Sequence, residues 1–95
     1  MSAYVVVVDM AVRAEAGDEV ARIFAGPFKE AISGQEGFRS VELLRPVEEQ
    51  DYVLVIVFSE RSLQERWVST DLHTEVWSAM EATFSRYRVR SFHTV

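Results

Sequence analysis

The segment Tyr52–Phe58 is apolar at every position. Because successive side chains of a β-strand point to opposite faces of a sheet, both faces of this strand would be apolar. The segment Tyr4–Val12 is almost as apolar. Antiparallel sheets usually keep one face in water, so the second face here needs a cover, and we predict that another copy of the chain supplies it. The predicted dimer contacts are Val5, Val7, Val53, Val55 and Val57.

The composition of the 95 residues limits what the chain can do. A chain of this length suits one domain, which we predict to span residues 1–95. The 15 acidic residues outnumber the 10 basic ones, so the formal net charge is −5. This charge disfavours binding to nucleic acids and to anionic membranes, which select clustered lysine and arginine. The absence of cysteine excludes disulfides, zinc–thiolate sites and thiol nucleophiles.

The sequence also lacks the usual signals for export or membrane insertion. No apolar run approaches the roughly 20 residues that span a bilayer. The apolar segment near the N-terminus has no basic region before it, unlike a signal peptide. We therefore predict a cytoplasmic protein.

Helical and strand patterns alternate along the chain. Apolar residues recur at helical spacing over 20–32 and again over 72–84, where the run ends with Phe84. Gly26-Pro27 interrupts the first run and predicts a kink, because proline has no N–H to donate. Strands are predicted at 4–12, 38–47, 52–58 and 87–95, and alternation within the second places Phe38 on the face opposite Val41. The order is βαββαβ, a ferredoxin-like α+β fold with an antiparallel sheet.

Aromatic side chains are concentrated on the elements expected to surround one space between the helices and the sheet. A plain hydrophobic core would explain each of them separately. A pocket for a flat apolar ligand explains the group equally well, because ligand pockets are largely aromatic with few polar anchors. The candidate substrate-binding residues are Phe24, Phe28, Phe58, Trp67 and Trp77.

His73 is the candidate catalytic residue. It lies four residues before Trp77 and seven before Met80, so the three share one helix face. Its ring would either hydrogen-bond a loop carbonyl or serve as an acid, base or hydrogen-bond donor in the pocket, since the ordinary pKa of histidine is about 6.5. No metal site is predicted, because Asp71 and Glu75 do not join His73 in a cage on one helix face.

Two segments resemble the antibiotic biosynthesis monooxygenase domain. They are residues 37–45 (GFRSVELLR) and 51–60 (DYVLVIVFSE), which are similar to the family's G-F-x-S-x-E-L-L-R strand and the strand after it. Trp67, Ser69 and His73 stand where the family often has a bulky residue, a small polar one and a histidine. The resemblance covers nearly the whole chain. It implies a dimeric α+β barrel, in which two ferredoxin-like sheets pack face to face, and a cofactor-independent monooxygenase that oxidises a small planar aromatic or quinol-type metabolite.

The resemblance implies two alternatives as well. Family members that oxidise polyketides have Asn and Trp on the third strand and Tyr in the next helix, where this chain has Leu54, Phe58 and Gln64. Haem-degrading members use a tryptophan that Trp67 matches, and a histidine ligand whose position falls on Trp77. The alternatives are therefore a protein that binds or degrades haem, and a non-catalytic dimeric domain for ligand binding or stress response.

Overall fold

The computed structural model describes residues 2–95, in which four strands form one antiparallel sheet in the order β2-β3-β1-β4. The predicted βαββαβ order and ferredoxin-like α+β class are confirmed. The strands are β1 (Tyr4–Val12), β2 (Phe38–Leu44), β3 (Tyr52–Phe58) and β4 (Phe84–His93). The helices are α1 (Gly17–Ile23), α2 (Lys29–Ser33), α3 (Arg61–Val68) and α4 (Asp71–Glu81). None of the helices in this part of the chain has the length and apolarity needed to cross a membrane.

The two central strands bury alternate residues beneath the helices. Leu54 and Phe58 are fully buried there, and so is Met10. The valines between them point to the opposite face and are only half-buried, as the alternation of a strand requires. We call this second side the open face. At its centre are Val5, Val7, Val53, Val55 and Val57.

The kink expected at Gly26-Pro27 takes the form of a π-helical turn, Phe24–Phe28, which joins α1 to α2. Pro27 cannot donate a backbone hydrogen bond to the preceding turn, so the helix widens there instead of continuing with α-helical spacing. The rings of Phe24 and Phe28 stack with their centroids 6.2 Å apart. Phe28 is buried, whereas Phe24 is only partly covered.

The predicted orientation of Phe38 is wrong. The pairing register between β2 and β3 shifts between Phe38 and Ser40, so the strand bulges there. A bulge adds one residue to one strand and reverses the faces of the residues beyond it. Phe38 is therefore paired with Phe58 and packs edge-on against its ring at 6.0 Å, on the helix-covered side.

The boundary between α4 and β4 also differs from the sequence-based expectation. The helix ends at Glu81, and Phe84 begins β4 instead of ending the helix. The hydroxyl of Thr83 donates a hydrogen bond to the Met80 carbonyl at 2.7 Å, and the Thr83 backbone N–H donates to the same oxygen at 3.0 Å, so the end of the helix is capped. Phe84 remains buried, because the first residue of the strand still points under the helices.

Candidate functional site

A cavity of about 370 Å³ lies between the helices and the half of the sheet formed by β1 and β4. Its floor is apolar and comes from the sheet, chiefly Val6 and Val8. Its walls are aromatic and come from the π-turn and from α3 and α4. Ligand pockets usually hold roughly 300 to 1,000 Å³, so this cavity suits a small ligand.

The cavity is open at the edge strand, because the helices do not extend over the whole width of the sheet. Tyr87 and Val89 of β4 pair with Met10 and Val8 and therefore point to the helix side. They are nevertheless 43% and 52% exposed, while their partners on β1 are buried. These two residues form the mouth of the cavity.

The corner between α3 and α4 positions the candidate catalytic residue. The hydroxyl of Thr70 donates to the Trp67 carbonyl at 2.8 Å, and its oxygen accepts from the His73 backbone N–H at 3.1 Å. Thr70 is thus the N-cap of α4, as is common for threonine, and it ties the two helices together. The imidazole of His73 meets the Trp67 ring edge-on at 5.1 Å and lies nearly parallel to the Trp77 ring at 6.2 Å.

The surroundings of His73 keep its ring neutral. Burial between the two indoles lowers its pKa below the ordinary value of 6.5, because the charged form loses its hydration. The hydrogen bond to a loop carbonyl, which the sequence left open, is not formed within residues 2–95. The His73 ring, which lines the cavity, therefore has one N–H donor and one nitrogen acceptor without a partner among these residues.

Four of the six predicted site residues line this one cavity: Phe28, Trp67, His73 and Trp77. Trp77 lies 6.4 Å from Phe28 and 5.5 Å from Tyr87, ring centre to ring centre, so it spans the cavity from the π-turn to the mouth. The other two predicted residues lie elsewhere. Phe58 is fully buried against Phe38, and Phe24 stacks on the outer side of Phe28.

Gln64 also lines the cavity, although it was not among the predicted site residues; the resemblance had placed it where polyketide-oxidising members have a tyrosine. It lies on α3, three residues before Trp67, and is only 8% exposed. The available signal was its helical spacing from Trp67, which places both side chains on the inner face of α3. Among residues 2–95, no charged side chain lines the cavity, and no group of three His, Cys, Asp or Glu side chains converges to hold a metal ion. The site therefore favours an uncharged ligand.

Comparison with known proteins agrees with this architecture. The sequence profile of the antibiotic biosynthesis monooxygenase family matches residues 3–85. A search of curated proteins finds no significant match to the sequence.

Three solved structures share the fold. SnoaB, a cofactor-independent oxygenase from Streptomyces nogalater, is 22% identical with a TM-score of 0.83, over 97% of this chain and 92% of that one. The heme-degrading protein Rv3592 from Mycobacterium tuberculosis is 23% identical with a TM-score of 0.77, over 99% and 92%. A conserved protein from Methanosarcina mazei is 13% identical with a TM-score of 0.84, over 97% and 92%. At these identities the likeness concerns the fold alone.

Proposed function

The chain belongs to the antibiotic biosynthesis monooxygenase family, and we propose that it oxidises a small, planar, uncharged phenol or quinol with molecular oxygen. One observation carries this proposal: a neutral imidazole with free ring nitrogens lies between two indoles on the wall of an aromatic cavity. A flat aromatic substrate fits such walls by ring stacking. SnoaB, which shares the fold, is a cofactor-independent oxygenase.

In the proposed reaction, His73 is the general base. The phenolic hydroxyl of the substrate donates a hydrogen bond to the free nitrogen of His73, which takes the proton as the ring of the substrate becomes electron-rich. The electron-rich ring then reduces dioxygen directly. In the keto tautomer of an anthrone-type phenol, one ring carbon carries two hydrogens: one oxygen atom becomes a carbonyl on that carbon, the other leaves with the two hydrogens as water, and His73 returns its proton to the phenolate. In a quinol, one oxygen atom becomes a hydroxyl on a ring carbon, the ring becomes a quinone, and the other oxygen atom leaves with two hydrogens as water. A lowered pKa keeps His73 in the base form at neutral pH.

Dimerisation through the open face is part of the proposal. The apolar centre of this face is flanked by Glu42 on β2, beside Val55, and by Arg90 on β4, beside Val7. A two-fold axis along the strands would place the acidic edge of one copy on the basic edge of its partner. Such self-complementarity is what an isologous interface requires.

Haem binding is the second candidate, and the same imidazole favours it, since neutral histidine is a common axial ligand of haem iron. The remaining residues fit haem poorly. Haem carries two propionates, whereas no cationic side chain among the described residues lines the cavity. The cavity volume of about 370 Å³ also lies at the low end for ligand sites. We therefore place the phenol or quinol substrate first.

The test is oxygen uptake by the purified protein with a panel of quinols and anthrone-type polyphenols, and hemin titration in parallel. We expect uptake above autoxidation, and a decrease of about 100-fold or more in His73→Asn, as for the loss of a general base. The chain has two histidines, so the exposed His93 provides the matched control His93→Asn, which should retain full activity. Ligand binding without uptake would instead identify a binding domain. A Soret shift that is lost in His73→Asn would identify a haem protein.

A further inference from the structure

We propose that Gln64 determines substrate specificity by bonding a second oxygen of the aromatic substrate, while His73 engages the first. The inference rests on the substrate class proposed above and extends it to aromatics that carry two oxygen functions. Gln64 is more than nine-tenths buried and lines the same cavity as His73.

The amide of Gln64 is free to bond a ligand. It offers two N–H donors and a carbonyl acceptor, and it makes no hydrogen bond to any of residues 2–95. Within that range, Asp9 Oδ2 is the side-chain polar atom that is fully enclosed without a hydrogen bond. The Gln64 amide is therefore not enclosed by protein, and the residue lines the cavity.

Burial makes this amide costly to the fold unless something bonds it. A polar group removed from water loses hydration, and it regains the lost free energy only through a hydrogen bond. Apart from His73, the other residues that line the cavity are apolar or aromatic, so a leucine or methionine at position 64 would face an apolar surface without that cost. Water that enters the open cavity can bond the amide, and a ligand oxygen that displaces this water would take over the hydrogen bond.

Trp67 relates the positions of the two polar groups. Gln64 and Trp67 are three residues apart on α3 and so share a helix face. The His73 ring meets the Trp67 ring edge-on at 5.1 Å. A planar ligand lying in the cavity would therefore present oxygens to both residues while its carbon framework contacts the valines of the sheet. Naphthalenediols and hydroxynaphthyl ketones have this chemistry.

The experiment compares binding of 1-naphthol with binding of the 1,4-, 1,5- and 1,8-dihydroxynaphthalenes by isothermal titration calorimetry under nitrogen, which prevents oxidation. We expect the best diol to bind about tenfold more tightly than 1-naphthol, as one additional good hydrogen bond allows. The diol ratio is the affinity for the best diol divided by the affinity for 1-naphthol. In Gln64→Met, and in Gln64→Leu as a second apolar variant, the diol ratio should fall to about twofold or less. Affinity for 1-naphthol and the melting temperature should be retained or rise. Gln50→Met, in the exposed turn between β2 and β3, is the matched control and should keep the wild-type ratio.

A wild-type protein without preference for any diol, or an unchanged ratio in both apolar variants, would overturn the role of Gln64. The outcome is separable from that of the oxygenase proposal. A Gln64-dependent ratio without oxygen uptake would remove the oxygenase but retain the specificity residue. Oxygen uptake that depends on His73, together with a diol ratio that Gln64 does not affect, would retain the oxygenase but remove the specificity residue.

Discussion

The two faces of the sheet are made from alternate residues of the same strands, but they carry opposite kinds of polar group. On the helix-covered side, Gln64 and His73 are uncharged, and their side chains have no hydrogen-bond partner among residues 2–95. On the open face, Asp9 has ion-pair partners: its buried Oδ2 accepts no hydrogen bond from residues 2–95, but it lies 3.2 Å from Nε of Arg90 and 3.9 Å from Nε of Arg88. Both faces are otherwise apolar at their centres.

The difference indicates what each face does. Buried polar groups in proteins are almost always bonded, so neutral groups that have no protein partner and line a cavity are available to bond a ligand. Paired charges at the edge of an apolar surface need no ligand, and they add specificity where two such surfaces associate. On this basis we propose that the covered face binds a small molecule and that the open face binds a second copy of the chain. Each of the following predictions tests one side of this comparison.

The largest effect is expected from a charge at the centre of the open face. Val55 has Val7 and Glu42 as its neighbours on the adjacent strands. In Val55→Asp, a carboxylate would lie unpaired in an apolar interface, and its desolvation would cost more free energy than burial of the surrounding valines recovers. We expect monomers or insoluble protein in size-exclusion chromatography with light scattering. A soluble, folded variant of unchanged mass would exclude this face as the interface.

The matched control for this experiment is Val47→Asp. Val47 lies between β2 and β3 and is almost completely exposed, so the same change of side chain meets water. This variant should assemble like the wild type.

The second largest effect is expected in the core of the covered face. Trp67 is 2% exposed and supports the His73 ring. Trp67→Ala should lower the free energy of unfolding by about 3–5 kcal/mol, because it removes a large buried ring and leaves a cavity. Val89→Ala, at the half-exposed mouth, should cost less than about 1 kcal/mol. Urea unfolding followed by circular dichroism measures both, and similar costs for the two variants would contradict the assignment of core and mouth.

The sequence predicted which face of a helix or strand each side chain occupies better than it predicted where an element ends or bulges. Alternation in Tyr52–Phe58 correctly indicated two apolar faces, and helical spacing correctly placed His73 and Trp77 together. Periodicity reports the direction of a side chain, which is a local property of the backbone. It failed at Phe38, where a bulge inserts one residue, and at Phe84, where the chain leaves the helix earlier than its apolar stripe suggests.

The periodicity of the sequence could not predict which residues line the cavity. Phe58 and Trp67 are both aromatic residues on the covered side, yet only Trp67 lines the cavity. The distinction depends on where the helices end relative to the edge strand β4, which is a matter of tertiary packing. The resemblance drew attention to the position of Gln64, but the residue was not selected as a site residue, because a glutamine on a short helix resembles a solvated residue until its burial is known.

A smaller effect is expected from the pH dependence of stability on the covered face. The pKa of His73 is lowered in the folded protein, so above pH 6.5 the ring is neutral in both states and its contribution to stability is complete. As the pH falls below 6.5, the unfolded chain takes up a proton first, and the free energy of unfolding decreases until the folded pKa is reached. We expect His73→Gln to remove this part of the decrease between pH 7.5 and 5.5 in thermal melts. Parallel curves for the variant and the wild type would contradict it.

The smallest effects are expected from breaking either of two ion pairs at the edge of the open face. Arg86 lies 3.7 Å from Asp51, and both side chains are well exposed, so Arg86→Gln should change the free energy of unfolding by less than about 0.5 kcal/mol. Arg90→Gln should lower the free energy of unfolding by about 1–2 kcal/mol, because the Asp9 oxygen that loses its ion-pair partner is buried. Chemical denaturation at two protein concentrations measures the difference. If a partner covers Asp9, the gap between the variants should grow as dimerisation increases. Equal costs at both concentrations would mean that Asp9 is solvated and that its pairing with Arg90 has no part in assembly.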